Sequence, residues 1–132
     1  MWMAASPPPD RTKGGSTVNA PVVYLVKFWV KPGGEKKVFE WLDGGHLQDV
    51  VAQPGFLWAS RYKLTEPDKD GWPAYAMIYG VKSADALRAY FASAATKRYV
   101  QERIQLGLDP LLRMDRNWGT LEIAVDAPAK AA

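Results

Sequence analysis

Residues Val22 to Lys31 read VVYLVKFWVK, a run of β-branched and aromatic side chains closed by Pro32-Gly33-Gly34. Such composition ended by turn formers predicts a strand. Period-two alternation sets Tyr24, Val26, Phe28 and Val30 on one face and Leu25, Lys27, Trp29 and Lys31 on the other. The first set is the better core face. Beyond the glycines, Phe39, Leu42, His46 and Val50 recur at spacings of three and four, which predicts a helix from about Glu35 to Ala52. Asp43-Gly44-Gly45 interrupts it, and with each helical glycine costing about 1 kcal/mol relative to alanine, a bend or break is expected there. Pro54-Gly55 ends the segment.

The next two runs, Phe56 to Thr65 and Pro73 to Val81, flank the turn-forming EPDKDGW and predict an antiparallel hairpin. Ser83 is placed to cap a helix whose apolar stripe is Leu87, Tyr90, Phe91 and Ala94, and a second helical stretch runs from about Thr96 to Leu106. Gly107 to Asn117, containing Asp109-Pro110, reads as a loop, and WGTLEIAV from Trp118 to Val125 reads as the last strand. The predicted order is β-α-β-β-α-β. That order makes an α+β sandwich in which two amphipathic helices cover one face of a four-stranded antiparallel sheet. The opposite face would carry Leu25 and Trp29, too apolar to stand bare, and a second copy of the chain is the simplest cover.

Composition narrows the picture further. At 132 residues, 48% hydrophobic and 23% charged, the chain has room for one ordinary globular domain. Residues 1–20, rich in Pro, Gly, Ser and Ala, are expected to be a flexible leader, 21–126 the domain, and 127–132 a flexible tail. The leader lacks the continuous apolar stretch of roughly 7–15 residues that a secretory signal needs, and the apolar runs elsewhere fall short of the roughly 18 needed to span a bilayer. A cytoplasmic location is the default expectation. The net charge of +3, from 17 basic and 14 acidic residues spread along the chain, does not imply nucleic acid as a partner. No cysteine is present, so disulfides, thiolate metal sites and cysteine nucleophiles are excluded.

Several motifs, taken in order, resemble the dimeric α+β-barrel superfamily of ferredoxin-like proteins. They are the opening strand ending in VKPGGE, the HLQDVVAQPGF stretch from His46 to Phe56, and the YGVKSADALRAYFAS junction from Tyr79 to Ser93. The resemblance spans about Val22 to Val125. It implies homodimers with sheets packed face to face, and it takes in antibiotic-biosynthesis monooxygenases, EthD-like proteins, haem-binding members and stress-responsive barrels, including olivetolic acid cyclase. The histidine that haem-binding members usually hold on the second helix is missing here, so haem is not expected. The cyclase pattern is also incomplete: it has further histidines, and its strand-three position is occupied here by Tyr75.

His46, the single histidine, is the candidate acid or base, since only imidazole has an unperturbed pKa near neutrality. The alternative is a buried histidine bonded to backbone. Tyr75 and Tyr90 are candidates to orient a phenol or enol beside it, and Tyr24, Phe28, Trp41, Arg61 and Met77 are candidate substrate contacts. Each tyrosine could equally be core filling. Arg61 could hold an anionic group in the pocket or lie at the subunit interface. Asp43, three residues before His46, could orient the imidazole or simply be solvated. No metal-ligand spacing and no phosphate-binding glycine loop is present, so no cofactor is expected. Six tryptophans favour a pocket for a flat hydrophobic ligand. Three functions stay open: a cofactor-independent acid/base enzyme (cyclase, isomerase or lyase) on a small aromatic substrate, a cofactor-free monooxygenase of the same fold, or a non-catalytic binding dimer.

Overall fold

The computed structural model describes residues 19–129; all but the last two residues of the expected leader, and the end of the expected tail, lie outside them. Ala20 is already buried. The strands are β1 (Val22–Val30), β2 (Phe56–Lys63), β3 (Ala74–Val81) and β4 (Leu112–Thr120), and the helices are α1 (Glu35–Trp41), α2 (Leu47–Val51), α3 (Ala84–Phe91) and α4 (Ala94–Gln105). The four strands form one sheet in the order β2-β3-β1-β4, with every neighbouring pair antiparallel. This is the ferredoxin-like α+β sandwich that the residue pattern predicts.

Register decides which side chains meet. Tyr24 lies between Tyr79 and Trp118, Val26 between Met77 and Arg116, and Phe28 between Tyr75 and Met114. Directly opposed residues point to the same side, so all of these face the helices. There Val38, Leu42, Leu47, Val50, Leu87 and Tyr99 join them in one core. The long helix expected from Glu35 to Ala52 is broken where Gly44 and Gly45 stand. A π-type turn, Leu42–His46, separates α1 from α2, and Gly45 (φ 158°, ψ −29°) leaves helical geometry.

Two glycines are required by close approach. Gly55 turns the chain into β2 with φ +87°, and a Cβ there would come 2.5 Å from the Ala86 Cβ. Gly80 lies under the Trp58 indole, 2.4 Å from where its Cβ would stand. Trp58 reaches Gly80 because a β-bulge shifts the register between Phe56 and Trp58. Strict alternation would keep these two on one face; the extra residue sends Phe56 to the helices and Trp58 to the open side.

The C-terminal third differs from the expectation. Residues 112–117, expected as loop, are the first two-thirds of β4, while 121–125, expected as strand, have no regular structure. The sequence LRMDRNWG places Leu112, Met114 and Trp118 inward and charged residues outward, but Arg116 at the intervening inward position hides the pattern. An edge strand tolerates these charges because only one side of it is paired. The ladder stops at Thr120 because its partner begins at Val22. Pro21 has no N–H to offer, and the last bond runs from the Leu121 N–H to the Pro21 carbonyl at 2.8 Å. Ala94, expected on the stripe of the first C-terminal helix, instead opens α4 and is exposed. Phe91 is 38% exposed but packs edge-on against Tyr24 at 5.2 Å and lines the cavity between helices and sheet.

Candidate active site

Between the helix-covered face of the sheet and the helices lies a cavity of about 260 Å³. Sheet side chains Tyr24, Val26, Phe28, Met77, Tyr79 and Met114 form one wall; Trp41, Leu42 and His46 from α1 and the π-type turn close a second, and Tyr90, Tyr99 and Arg103 a third. The break at Gly44-Gly45 matters here. It turns the chain so that Leu42, His46 and Leu47, contributed by the turn and the start of α2, all reach the cavity.

His46 is held between two rings. Trp41 stacks on it at 4.0 Å between centroids, and Tyr99 meets it edge-on at 4.5 Å. Its Nδ1 is buried and has no hydrogen-bond partner. Burial, helped by the Arg103 and Arg98 cations and opposed by Asp49, lowers its pKa to about 4. The imidazole is therefore neutral at neutral pH and can accept a proton or a hydrogen bond.

The phenols are held neutral as well. Tyr24 stacks on Tyr79 at 5.6 Å and lies 6.3 Å from Tyr90, and burial raises the pKa of all three; for Tyr24 the Arg116 charge opposes this. Tyr99 is raised by burial and by donating its hydroxyl proton to Asp49 at 2.5 Å. Among the described residues, two arginines line the cavity and no carboxylate does. Arg103 is already engaged, its Nε donating to Asp109 at 3.1 Å. The cavity can thus seat a flat apolar body, donate hydrogen bonds to an oxygen, and favour negative charge on it.

Residues 21–104 match the family described as a domain of unknown function, DUF4286. The chain belongs to that family. No curated protein matches the sequence. Among solved structures, this DUF4286 protein is similar to a monooxygenase from the ActVA-Orf6 gene of Streptomyces coelicolor, solved in complex with nanaomycin D. Identity there is 25%, with 83% of this chain and 94% of that one covered and a TM-score of 0.60. It shares its fold with SnoaB, a cofactor-independent oxygenase from Streptomyces nogalater (20% identity, 80% of this chain and 97% of that one, TM-score 0.52). A dimeric ferredoxin-like protein from an uncultured marine organism has the same fold (12% identity, 79% and 96%, TM-score 0.57).

Of the residues singled out in the sequence, the DUF4286 cavity brings together His46, Tyr24, Phe28, Trp41, Met77 and Tyr90. Two do not line it. Tyr75 sits one register step beyond, stacked on Phe28 at 5.2 Å and edge-on to Phe39 at 5.1 Å, as core filling. Arg61 shares the helix-covered face, opposite Met77, but donates two hydrogen bonds to Asp43 at 2.7 and 3.0 Å and lies over the Phe39 ring. That pairing also removes Asp43 from any role in orienting His46. The sequence reading missed Tyr79, Tyr99, Arg103 and Arg116. Tyr79 was legible, being two residues past Met77 on the same strand face. Arg116 was not, because β4 was read there as loop.

Proposed function

We propose that this protein is a cofactor-independent oxygenase of a phenolic or enolic aromatic substrate, which it deprotonates and holds while the substrate anion reacts with molecular oxygen. The observation that carries this reading is the cavity itself: aromatic walls, a neutral His46 whose buried Nδ1 lacks a partner among the described residues, and a described lining with two guanidiniums and no carboxylate. The substrate hydroxyl would give its proton to His46. The phenols of Tyr90 and Tyr79 would donate hydrogen bonds to the oxyanion. The anion's electron-rich ring carbon would bond to oxygen, and loss of water from the resulting hydroperoxide would leave a quinone, so that a phenol and one O₂ yield a quinone and one water. The likeness to the nanaomycin-complexed monooxygenase and to SnoaB supports oxygen chemistry over the other acid/base reactions this fold could host.

The test is an oxygen electrode. Purified protein with a panel of hydroxynaphthalenes and anthrones is expected to consume one O₂ per substrate converted, and His46→Gln to lower kcat at least tenfold. Conversion without oxygen uptake would instead identify a cyclase, isomerase or lyase. No conversion across the panel, with the ligands still bound, would identify a binding protein. The working unit of the proposal is a homodimer, its second copy covering the open face of the sheet.

A further inference from the structure

Among the described arginines, Arg61, Arg88, Arg98, Arg103 and Arg113 each hold a carboxylate, and Arg116 holds none. Arg116 stands on β4 opposite Val26, on the helix-covered face, and it lines the cavity. It is solvent-exposed, so it sits at the cavity's open side rather than its floor. Among the described residues it makes a weak bond from Nη2 to the Met114 Sδ at 3.5 Å, and its charge and a side-chain hydrogen bond act on the Tyr24 phenol, but no carboxylate neutralises it. A guanidinium with no carboxylate partner, at the rim of an apolar cavity with no carboxylate among its described lining residues, can meet a charge brought by the ligand.

We infer that the ligand of this cavity is an aromatic carboxylate, its rings between the sheet and the helices and its carboxylate paired with Arg116 at the mouth. This rests on the aromatic-substrate reading above and adds a second acidic group to it, distinct from the hydroxyl facing His46. A single guanidinium fork matches a planar monoanion in bidentate fashion. A phosphate dianion fits less well, because the other cavity arginine is already neutralised by Asp109 and one charge would go unmatched. A phenolate fits less well too, since its oxygen is assigned to the interior beside His46 and not to the rim.

The test is direct binding, with no oxygen chemistry needed. The full chain is titrated with 2-naphthoate and with 2-naphthamide, read by quenching of tryptophan fluorescence, for which Trp41 is in the cavity wall. The carboxylate is expected to bind at least tenfold tighter than the amide, with the advantage shrinking as salt is added. Arg116→Gln is expected to bring the two affinities within twofold of each other, and Arg116→Lys to keep an intermediate ratio. Equal affinities in the wild type, or an undiminished preference in the Gln variant, overturn the inference. If that happens while hydroxyaromatics still drive oxygen uptake, the oxygenase reading stands without it. Preference for the carboxylate with no oxygen uptake on any substrate leaves this inference standing and removes the oxygenase. Failure of both probes to bind overturns the inference, while the oxygen electrode decides the oxygenase reading separately.

Discussion

His46 shows how a single residue can link stability to chemistry. Caught between Trp41 and Tyr99, it titrates near pH 4 in the folded protein against about 6.5 in an unfolded chain. Between those values the unfolded state binds the proton and the folded state does not, so stability is complete above about pH 6.5 and declines as pH falls toward 4. At ~1.4 kcal/mol per unit the loss reaches roughly 3 kcal/mol by pH 4. Chemical denaturation at steps from pH 7.5 to 4 is expected to show that decline, and His46→Gln to flatten most of it. Parallel curves for the two proteins would mean the imidazole is not buried in this way. The same desolvation keeps His46 neutral at physiological pH, the form that can accept a substrate proton. The arginines are read by the same reasoning. Arg61 and Arg116 carry equal charge, and only their partners separate a structural tie to Asp43 from a cation left for a ligand.

At the level of elements, close packing on the open sheet face makes a sharp prediction. A methyl group at Gly80 would overlap the Trp58 ring at 2.4 Å, and the ring is held there by the bulge that precedes it. Gly80→Ala is expected to destabilise the protein by about 1–3 kcal/mol, the usual range for overpacking. In a Trp58→Ala background most of that cost should vanish, a coupling that a double-mutant cycle in urea measures. An additive pair would place the strain elsewhere. Elements were legible in the sequence where local pattern and tertiary demand agree. The alternation of β1, the Ser83 cap, whose Oγ accepts from the Ala86 N–H at 3.0 Å, and the break at Gly44-Gly45 are all of this kind. Features that depend on a distant partner were not. The bulge at Leu57 has no mark in FLWAS, and the end of β4 is set by Pro21, about a hundred positions away in the chain. The site was legible in part: six residues on well-read strands and helices line the cavity, Tyr75 and Arg61 are taken up by Phe28, Phe39 and Asp43 instead, and Arg116, on the strand misread as loop, was missed.

At the scale of the whole molecule, the unfinished part is the open face of the sheet. Leu25 is 39% exposed there and is flanked by Ile78 on β3, with Trp29 and Trp58 on the same side and Tyr62 near its edge. Four strands about 4.8 Å apart and eight or nine residues long give a flat footprint of about 500 Å² before side-chain relief is counted. That is the order of the ~800 Å² per partner of a standard stable interface. A charge at the centre of such a face would lie against its own symmetry mate across a two-fold axis, unpaired and desolvated. Leu25→Asp is therefore expected to convert a dimer, seen by sedimentation equilibrium at micromolar concentration, into a monomer. Its helix-covered cavity, on the other side of the sheet, should survive the change. Binding of 2-naphthoate by that monomer would show the cavity to be complete within one chain, and its loss would show that pairing holds the sheet, and with it Tyr24 and Arg116, in place. A wild type that sediments as a monomer would remove the second copy from the proposal altogether.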